Sequence, residues 1–394
     1  MSPRKQTAVE RSSDVLDGRA GYRLFADWGH VGVLEGGGHI CELILNTVPR
    51  INPLWKPSWT TIDPGRYSPA RHIRTYGPPP DGKLLAGIAG HSLSFDHFGP
   101  PSKEETAAGL ATHGETPCTQ WKMKKGSRTW VPTLHCSCLL LRAQISFSRT
   151  ISVDRTSPVV YCEERAENLG AYDRPISWNE HVTFGPAFLE CGTTIFDIPA
   201  TRAKVCPAGY SERNFLQPDA EFIWPESPRK DGYRHNLRTM PEERYGHYTA
   251  QLLDPALDVA FVSACNPALR LLVVYVFRRE DFPWVGNWEE CNNRESAPWR
   301  GKTFCRGMEF STTPFAIPRR ETIDQGPLFG AKTYRWLPAR STVAVRYAVL
   351  LFMTPENFKG VSRVSIERGR ALVTEAAPGN RELQVAVANF LTAT

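Results

Sequence analysis

The chain has 394 residues, of which 41% are hydrophobic and 22% charged, a composition typical of a globular protein with a sizeable core. Its net charge of +6 is mild and its basic residues form only short clusters, so the sequence disfavours a nucleic acid as partner. No apolar run approaches the length of a membrane span, which disfavours a membrane location.

The start of the chain and its cysteines bear on compartment and order. Residues 1–20 are polar and charged without an apolar leader, and none of the ten cysteines forms a CxxC pair. We therefore expect a cytoplasmic protein with mostly reduced thiols. Residues 1–20 are predicted to form a loosely ordered tail, and residues 21–394 a single domain.

Strand patterns follow directly after the tail. Residues 29–45 contain two apolar runs around three consecutive glycines, which predicts a hairpin. Alternation of apolar and polar residues over 141–153 predicts a half-buried strand, and further strands are predicted over 159–168 and 174–184.

The remaining segments complete the predicted fold. Residues 268–277 and 342–353 are continuously apolar, which predicts deeply buried strands. One helix is predicted over 380–391, from apolar residues spaced four apart. Segments 51–80 and 282–302, rich in Trp and Pro, are predicted to be irregular substrate loops. The predicted fold class is all-β: a large antiparallel β-sandwich with few short helices.

A histidine lies in the predicted strand that ends at Gly185-Pro186. In a regular strand Asn179, His181 and Thr183 share one face. That row is too polar for an apolar core and fits a sheet face lining a wet cleft. A hydrogen-bonded core histidine is the alternative, but the alternation favours His181 as a proton-transfer group, with Asn179 as a substrate contact.

Two other segments supply candidate partners for His181. His113 and Glu115 lie among Gly and Pro residues, which predicts a loop; Glu115 could orient His113 or contact substrate, and an exposed loop histidine is the alternative. Glu309 has apolar neighbours, so it is either paired with a cation, Arg306 being the nearest, or a base whose pKa burial has raised.

Further polar and aromatic clusters supply predicted substrate contacts. His91 and Asp96 could shape the same cleft; adjacent ligands such as Asp96 and His97 rarely chelate together, so no metal site is predicted. The Trp-rich segment suits a sugar, because rings stack on C–H faces and amides bind hydroxyls, although it could also plug one end of the sandwich. The contacts predicted from this and the following segment are Trp284, Trp288, Asn292 and Arg306.

Common catalytic motifs are absent from the sequence. It contains no GxSxG nucleophile elbow, no phosphate-binding loop and no HExxH zinc motif. A serine nucleophile and a nucleotide-dependent reaction are therefore disfavoured.

The three segments around His113, His181 and Glu309 resemble those of the galactose mutarotase (aldose 1-epimerase) superfamily. The matching residues are His113-Gly114, His181 within Glu-His-Val-Thr-Phe-Gly, and Glu309 within Gly-Met-Glu-Phe-Ser-Thr. Their order and wide spacings, 68 and 128 residues, agree with the family, over roughly residues 25–355. The family's substrate-holding aspartate has no counterpart with a matching context; Asp231, Asp254 and Asp258 lie in that interval.

The resemblance implies a large antiparallel β-sandwich and a mechanism without metal or cofactor. Glu309 would remove the proton from the anomeric hydroxyl of an aldose, His181 would protonate the ring oxygen, and His113 would hydrogen-bond the substrate. The substrate expected from it is a free or modified monosaccharide, and the protein would be an isomerase, monomeric or homodimeric.

Two other functions stay open at the level of sequence. One is a carbohydrate-binding protein without turnover, and the other is a lyase or hydrolase acting on a glycoside or uronate. A sandwich fold does not decide among them, because one scaffold can carry many activities.

Overall fold

The computed structural model describes residues 8–47, 49–127, 131–389 and 391. Antiparallel strands dominate it, as the alternating patterns predicted, and most of them belong to two sheets. The larger one, which we call the front sheet, has twelve strands. Numbered along the chain and given in spatial order, they are β1 (Ala8–Leu16), β2 (Arg19–Ala26), β3 (Gly29–Leu34), β4 (Ile40–Leu45), β5 (His91–Asp96), β10 (Arg174–Phe184), β20 (Phe304–Ser311), β19 (Trp284–Cys291), β16 (Tyr245–Leu253), β12 (Ala200–Val205) and β13 (Glu221–Phe222), with β21 (Arg335–Leu337) paired to β10.

The second large sheet, the back sheet, has eight strands and packs behind the front sheet. In spatial order they are β11 (Ile195–Asp197), β17 (Val259–Asn266), β18 (Leu271–Arg278), β22 (Thr342–Met353), β9 (Val159–Asn168), β8 (Ile145–Val153), β7 (Thr133–Leu140) and β6 (Lys122–Lys125). Two small sheets consist of β14 (Glu226–Pro228) with β15 (Arg234–Asn236), and of β23 (Val361–Glu367), β24 (Arg370–Glu375) and β25 (Glu382–Ala386).

Helices are few and short. They are α1 (Pro69–Tyr76), α2 (Asp81–Gly87), α3 (Lys103–Ala107) and α4 (Arg319–Gln325), with 3-10 turns at Pro64–Arg66 and Thr116–Cys118. Among the described residues, no helix is long and apolar enough to cross a membrane.

The core lies between the front and back sheets. Phe147 of β8 and Trp178 of β10 contact each other there, with ring centroids 5.5 Å apart, and Phe277 of β18 stacks on Phe310 of β20 at 4.4 Å. Because side chains alternate along a strand, the neighbours of these residues in β10 and β20 point away from the core. These alternate side chains of β10 and β20 therefore form a second row on the outer face of the front sheet.

The three-stranded sheet β23–β25 covers the outer face of the back sheet. Val364 and Val373 belong to an apolar cluster with Val274 and Val276 of β18. The back sheet is thus apolar on both faces, which agrees with the continuous apolar runs predicted over 268–277 and 342–353.

Three sequence predictions differ from the structure. Residues 8–16 of the predicted tail form β1, which pairs with β2, whereas residues 1–7 lie outside the described part of the chain. The helix predicted over 380–391 is wrong: residues 382–386 form β25, because pairing with β24 satisfies their backbone. The segments 51–80 and 282–302 are only partly irregular, since the first contains α1 and the second contains β19.

Candidate active site

A cavity of about 430 Å³ opens on the outer face of the front sheet. Its size is within the usual range for small-molecule sites. Strands β10, β16, β19 and β20 form its floor, and loops with helix α2 form its walls. The polar and aromatic residues that line it include His113, His181, Tyr210, Tyr248, Trp288, Arg294, Trp299 and Glu309.

His181 and Glu309 form a direct contact on the cavity floor. The register of β10 and β20 pairs Asn179 with Ser311 and Thr183 with Gly307, so His181 falls opposite Glu309. The Nε2 atom of His181 lies 3.2 Å from Oε1 of Glu309, and the two side chains are 5% and 1% exposed. The pair therefore faces the cavity while being almost shielded from bulk water.

Neighbouring polar groups orient this pair. The Nδ1 atom of His181 lies 3.0 Å from the hydroxyl of Thr183, two residues along the same strand face. The amide Nδ2 of Asn179 donates to Oε2 of Glu309 at 3.4 Å. Asn179 was predicted to contact substrate. In the structure its amide binds Oε2 of Glu309 instead, and Oε1 of Glu309 contacts His181.

Burial changes the proton affinity of both partners. It raises the pKa of Glu309 to about 8, against the opposing effect of the Asn179 hydrogen bond, and it lowers the pKa of His181 to about 4. Between about pH 4 and pH 8 the two groups together hold one proton. The two pKa values place that proton on Glu309, with a neutral imidazole; moving it to His181 gives the less favoured arrangement of a carboxylate and an imidazolium.

Close packing beside Glu309 depends on a glycine. Gly307 lies two residues before Glu309 on the same face of β20. A Cβ atom at this position would lie 2.7 Å from Oε1 of Glu309 and 3.2 Å from the ring of Trp288. The carboxylate and the indole can approach each other only because no side chain separates them.

His113 approaches the pair from a loop between α3 and the 3-10 turn at Thr116–Cys118. Its backbone φ is 66°, in the left-handed region. Its Nδ1 accepts the N–H of Gly99 at 3.2 Å, so the neutral ring carries its proton on Nε2. Burial, together with the nearby His181, holds the pKa of His113 well below its usual value. His113 is therefore a neutral hydrogen-bond donor.

Indole rings form one wall of the cavity. Trp288 of β19 contacts His181 with ring centroids 5.5 Å apart, and Trp299 lies 6.1 Å from Trp288. Behind them, Trp55 stacks on Trp299 at 6.4 Å and 11°. Trp55 belongs to segment 51–80, which was predicted to be a substrate loop; it supports this wall, and Trp299 shows that part of segment 282–302 reaches the cavity.

Comparison with solved structures reveals the same architecture. A provisionally named aldose 1-epimerase from Klebsiella pneumoniae superposes with a TM-score of 0.61 at 13% identity, over 86% of this chain and 80% of that one. A galactose mutarotase-like protein from Clostridium acetobutylicum gives 0.57 at 12% identity, over 89% and 100%. A galactose mutarotase related enzyme from Lactobacillus acidophilus gives 0.52 at 10%, over 85% and 99%. The chain has the galactose mutarotase-like fold.

At the level of sequence the comparisons find nothing. No family model matches the chain, and no curated protein matches it. The likeness at 10 to 13% identity therefore concerns the mutarotase-like fold alone. That fold was the one expected from the motifs around His113, His181 and Glu309, and the structure brings these three side chains to one cavity.

Other predicted contacts lie outside the cavity of this mutarotase-like fold. His91 points to the interior, where its Nε2 lies 2.7 Å from Oε2 of Glu180. Asp96 accepts two hydrogen bonds from Arg174 and two from Arg319, which together hold its pKa below the usual range. Both side chains bind residues of neighbouring strands and loops. Neither of them lines the cavity.

Four more predictions are corrected in the same way. Glu115 accepts backbone N–H groups at 142 and 143. Arg306 points to the interior, 3.5 Å from Glu289, and does not pair with Glu309. The indole of Trp284 donates to the carbonyl of residue 332. The carbonyl of Asn292 accepts hydrogen bonds from the side chain of residue 244. None of the four lines the cavity.

The residues missed by sequence reasoning are Tyr210, Tyr248 and Arg294. All three line the cavity and come from the interval where the aspartate of the resembling family was sought, whereas Asp231, Asp254 and Asp258 do not line it. Arg294 lies in the Trp-rich segment, which was the one available signal; Tyr210 lies in a loop without a pattern. Among the described residues, no group of three or more His, Cys, Asp or Glu could hold a metal ion.

Proposed function

We propose that the protein is an aldose 1-epimerase, which interconverts the two anomers of a free monosaccharide. The observation that carries the proposal is the contact between His181 and Glu309 at the floor of a sugar-sized cavity, with His113 beside it. An acid and a base within reach of one C–O bond are what ring opening of an aldose requires.

Each group has a defined task in ring opening. The proton of the pair first moves from Glu309 to His181; the resulting carboxylate then takes the proton of the anomeric hydroxyl while the imidazolium gives its proton to the ring oxygen. The bond from C1 to the ring oxygen breaks, its electron pair stays on that oxygen, and C1 becomes an aldehyde. Rotation about the C1–C2 bond and reclosure by the reverse transfers yield the other anomer.

The shared proton makes this cycle self-contained. Ring opening leaves Glu309 protonated and His181 neutral, which is the arrangement that the two pKa values favour. Ring closure by the reverse transfers returns the pair to the carboxylate and the imidazolium. No proton from solvent is needed, which suits a pair that is at most 5% exposed.

Surrounding residues support the binding of a pyranose. His113 offers its Nε2 proton to a sugar oxygen, because its Nδ1 is occupied by the backbone of Gly99. The indole of Trp288 offers a flat face to the C–H groups of the ring. We further propose a cytoplasmic enzyme, monomeric or homodimeric; its ten cysteines are free thiols, as in proteins of a reducing compartment.

Anomer exchange measured by saturation-transfer NMR over a panel of aldoses tests this function. We expect exchange above the buffer rate for at least one sugar, and a fall of about 10²–10⁴-fold in Glu309→Gln. Glu115→Gln is the matched control, since it makes the same chemical change outside the cavity and should exchange like the parent. If Glu309→Gln exchanged as fast as the parent, the assigned base would be wrong.

The same panel separates the alternative functions. Sugar binding in calorimetry without exchange for any aldose would indicate a binding protein. Release of product from an oligosaccharide or a polyuronate would indicate a hydrolase or lyase. Either result would count against the epimerase.

A further inference from the structure

Arg294 brings a positive charge into the cavity beside the proposed reaction centre. Its guanidinium carbon lies 4.6 Å from the ring of Trp299, 5.1 Å from that of Tyr210 and 5.9 Å from that of Trp288. Flat rings on several sides restrict its position. Its side chain is 34% exposed and lines the cavity.

The guanidinium has unused hydrogen-bonding capacity. Its Nη2 donates to the hydroxyl of Tyr210, and its Nε lies 3.6 Å from Oε2 of Glu290, beyond a hydrogen bond. The other carboxylate oxygen of Glu290 accepts two backbone N–H groups at 2.9 Å. Among the described residues, Nη1 of Arg294 makes no hydrogen bond.

Other arginines of this chain bind both oxygens of a carboxylate. Arg174 places two nitrogens on the two oxygens of Asp96, at 2.6 and 2.8 Å. Arg381 does the same on Glu375, at 2.7 and 2.6 Å. A fork of this kind is the geometry in which a guanidinium binds an oxyanion. Arg294 lacks such a partner within the protein.

The remaining charges of the cavity leave Arg294 available. The pair of His181 and Glu309 is neutral as a whole, because it shares one proton. Asp81 lies at the exposed rim and accepts a hydrogen bond from Thr112. Among the described residues, Glu290 is the one carboxylate in an ion pair with the guanidinium, 3.6 Å from its Nε, so a neutral sugar would leave the partly desolvated Nη1 without an oxyanion.

We propose that the substrate is a monosaccharide bearing an oxyanion, a carboxylate or a phosphate, and that Arg294 binds this group. The inference rests on the proposed function in placing a sugar in the cavity, but it concerns recognition and not turnover. The anion would receive Nη1–H and a second N–H from the fork, while the anomeric carbon lies over the floor near Glu309.

Calorimetric titration of the full chain tests the proposal with glucose, glucuronate and glucose 6-phosphate, and with galactose and galacturonate. We expect at least one anionic sugar to bind about tenfold or more tightly than its neutral parent, by the strength of charge-assisted hydrogen bonds. The two anionic arms distinguish carboxylate from phosphate. Higher salt should weaken anion binding and leave neutral sugars unchanged.

Variants assign the preference to one residue. Arg294→Gln should remove the preference and keep the affinity for neutral sugars, and Arg294→Lys should retain part of it, since it keeps the charge and loses the fork. Arg300→Gln, an exposed arginine of the same segment that does not line the cavity, is the charge-matched control and should behave as the parent.

The outcomes separate recognition from catalysis. Equal affinity for neutral and anionic sugars, no binding of any sugar, or a preference that survives in Arg294→Gln overturns the assignment of Arg294. An anion preference without anomer exchange upholds it and refutes the epimerase. Exchange of neutral sugars without any anion preference upholds the epimerase and refutes the assignment of Arg294.

Discussion

The two faces of β10 each carry a contact between a histidine and a glutamate. On the outer face, His181 and Glu309 lie 3.2 Å apart at the cavity floor; on the inner face, His91 and Glu180 lie 2.7 Å apart between the sheets. Both pairs are nearly inaccessible to bulk water. Strand β10 supplies the histidine of the outer pair and the glutamate of the inner pair, while Glu309 belongs to β20 and His91 to β5.

The inner pair is in contact with a cation and an indole. Arg149 contacts Glu164 and Glu180, and the indole N–H of Trp178 lies within hydrogen-bond distance of both carboxylates. Burial and the charge of Arg149 hold the pKa of His91 well below its usual value. Among the described residues, no Arg or Lys forms an ion pair with the outer pair, and a cavity opens above it. The two pairs therefore differ in access and in the presence of a fixed counter-charge, not in the pairing itself.

The comparison predicts opposite effects for the two histidines. His181→Gln should lower anomer exchange about 10²–10⁴-fold, because it removes the group that protonates the ring oxygen. His91→Gln should leave exchange per folded molecule near that of the parent. NMR exchange rates, normalised to folded protein by near-ultraviolet circular dichroism, provide the measurement; similar losses in both variants would mean that the two faces are not functionally distinct.

Removing the cation of the inner cluster should damage stability more than activity. Arg149→Met leaves the buried side chains of Glu164 and Glu180 without the cation that both contact, so we expect the free energy of unfolding to fall by about 3–5 kcal/mol. Urea unfolding measures this. Arg155→Met, which removes a half-exposed arginine 3.8 Å from Asp27, should change stability by less than about 1 kcal/mol. Equal effects would refute a structural role for the cluster.

The outer pair should weaken the fold at alkaline pH. The folded-state pKa of Glu309 is about 8, above the 4.5 of a free glutamate, so its ionisation opposes folding. The lowered pKa of His181 offsets this effect below about pH 6.5, so the pair should cost the parent stability as pH rises from about 6.5 to about 8. Glu309→Gln should be the more stable protein above pH 8, by an amount on the order of a few kcal/mol, and the gap should close near pH 4. A gap independent of pH would contradict the raised pKa.

The smallest expected effect concerns Asn179. Its hydrogen bond favours the Glu309 carboxylate, so Asn179→Ala should raise the pKa of Glu309 further. In the parent, exchange should fall below about pH 4, where the pair gains a second proton, and above about pH 8, where it loses its last one. The variant should move the alkaline limit of the pH profile upward, with a modest loss of rate. An unmoved limit would mean that Asn179 does not act on the base.

Local patterns were sufficient for the architecture and for the outer row of β10. The alternation that placed Asn179, His181 and Thr183 on one face is confirmed, and so is the sandwich built from such strands. Arg306 could have been assigned correctly by the same rule, since residues 306 and 309 differ by an odd number and must face opposite sides of β20.

Other features depend on contacts that are distant in sequence. Every residue of β5 is buried, so composition could not show that His91 faces Glu180 on the inner side of the sheet. Arg294 follows the end of β19, and only the packing of Trp299 and Tyr210 brings it to the cavity. The strand at 382–386 exists because β24 lies beside it, a partner that spacing along the chain does not reveal.

The glycine beside Glu309 has an evolutionary consequence. One methyl group at position 307 would lie 2.7 Å from the carboxylate and would press it against Trp288 or away from His181. Any substitution at this codon therefore has to move the Glu309 side chain, even when the histidine and the glutamate are both kept. In distant relatives, we expect a residue larger than glycine at this point to accompany a displaced or absent carboxylate.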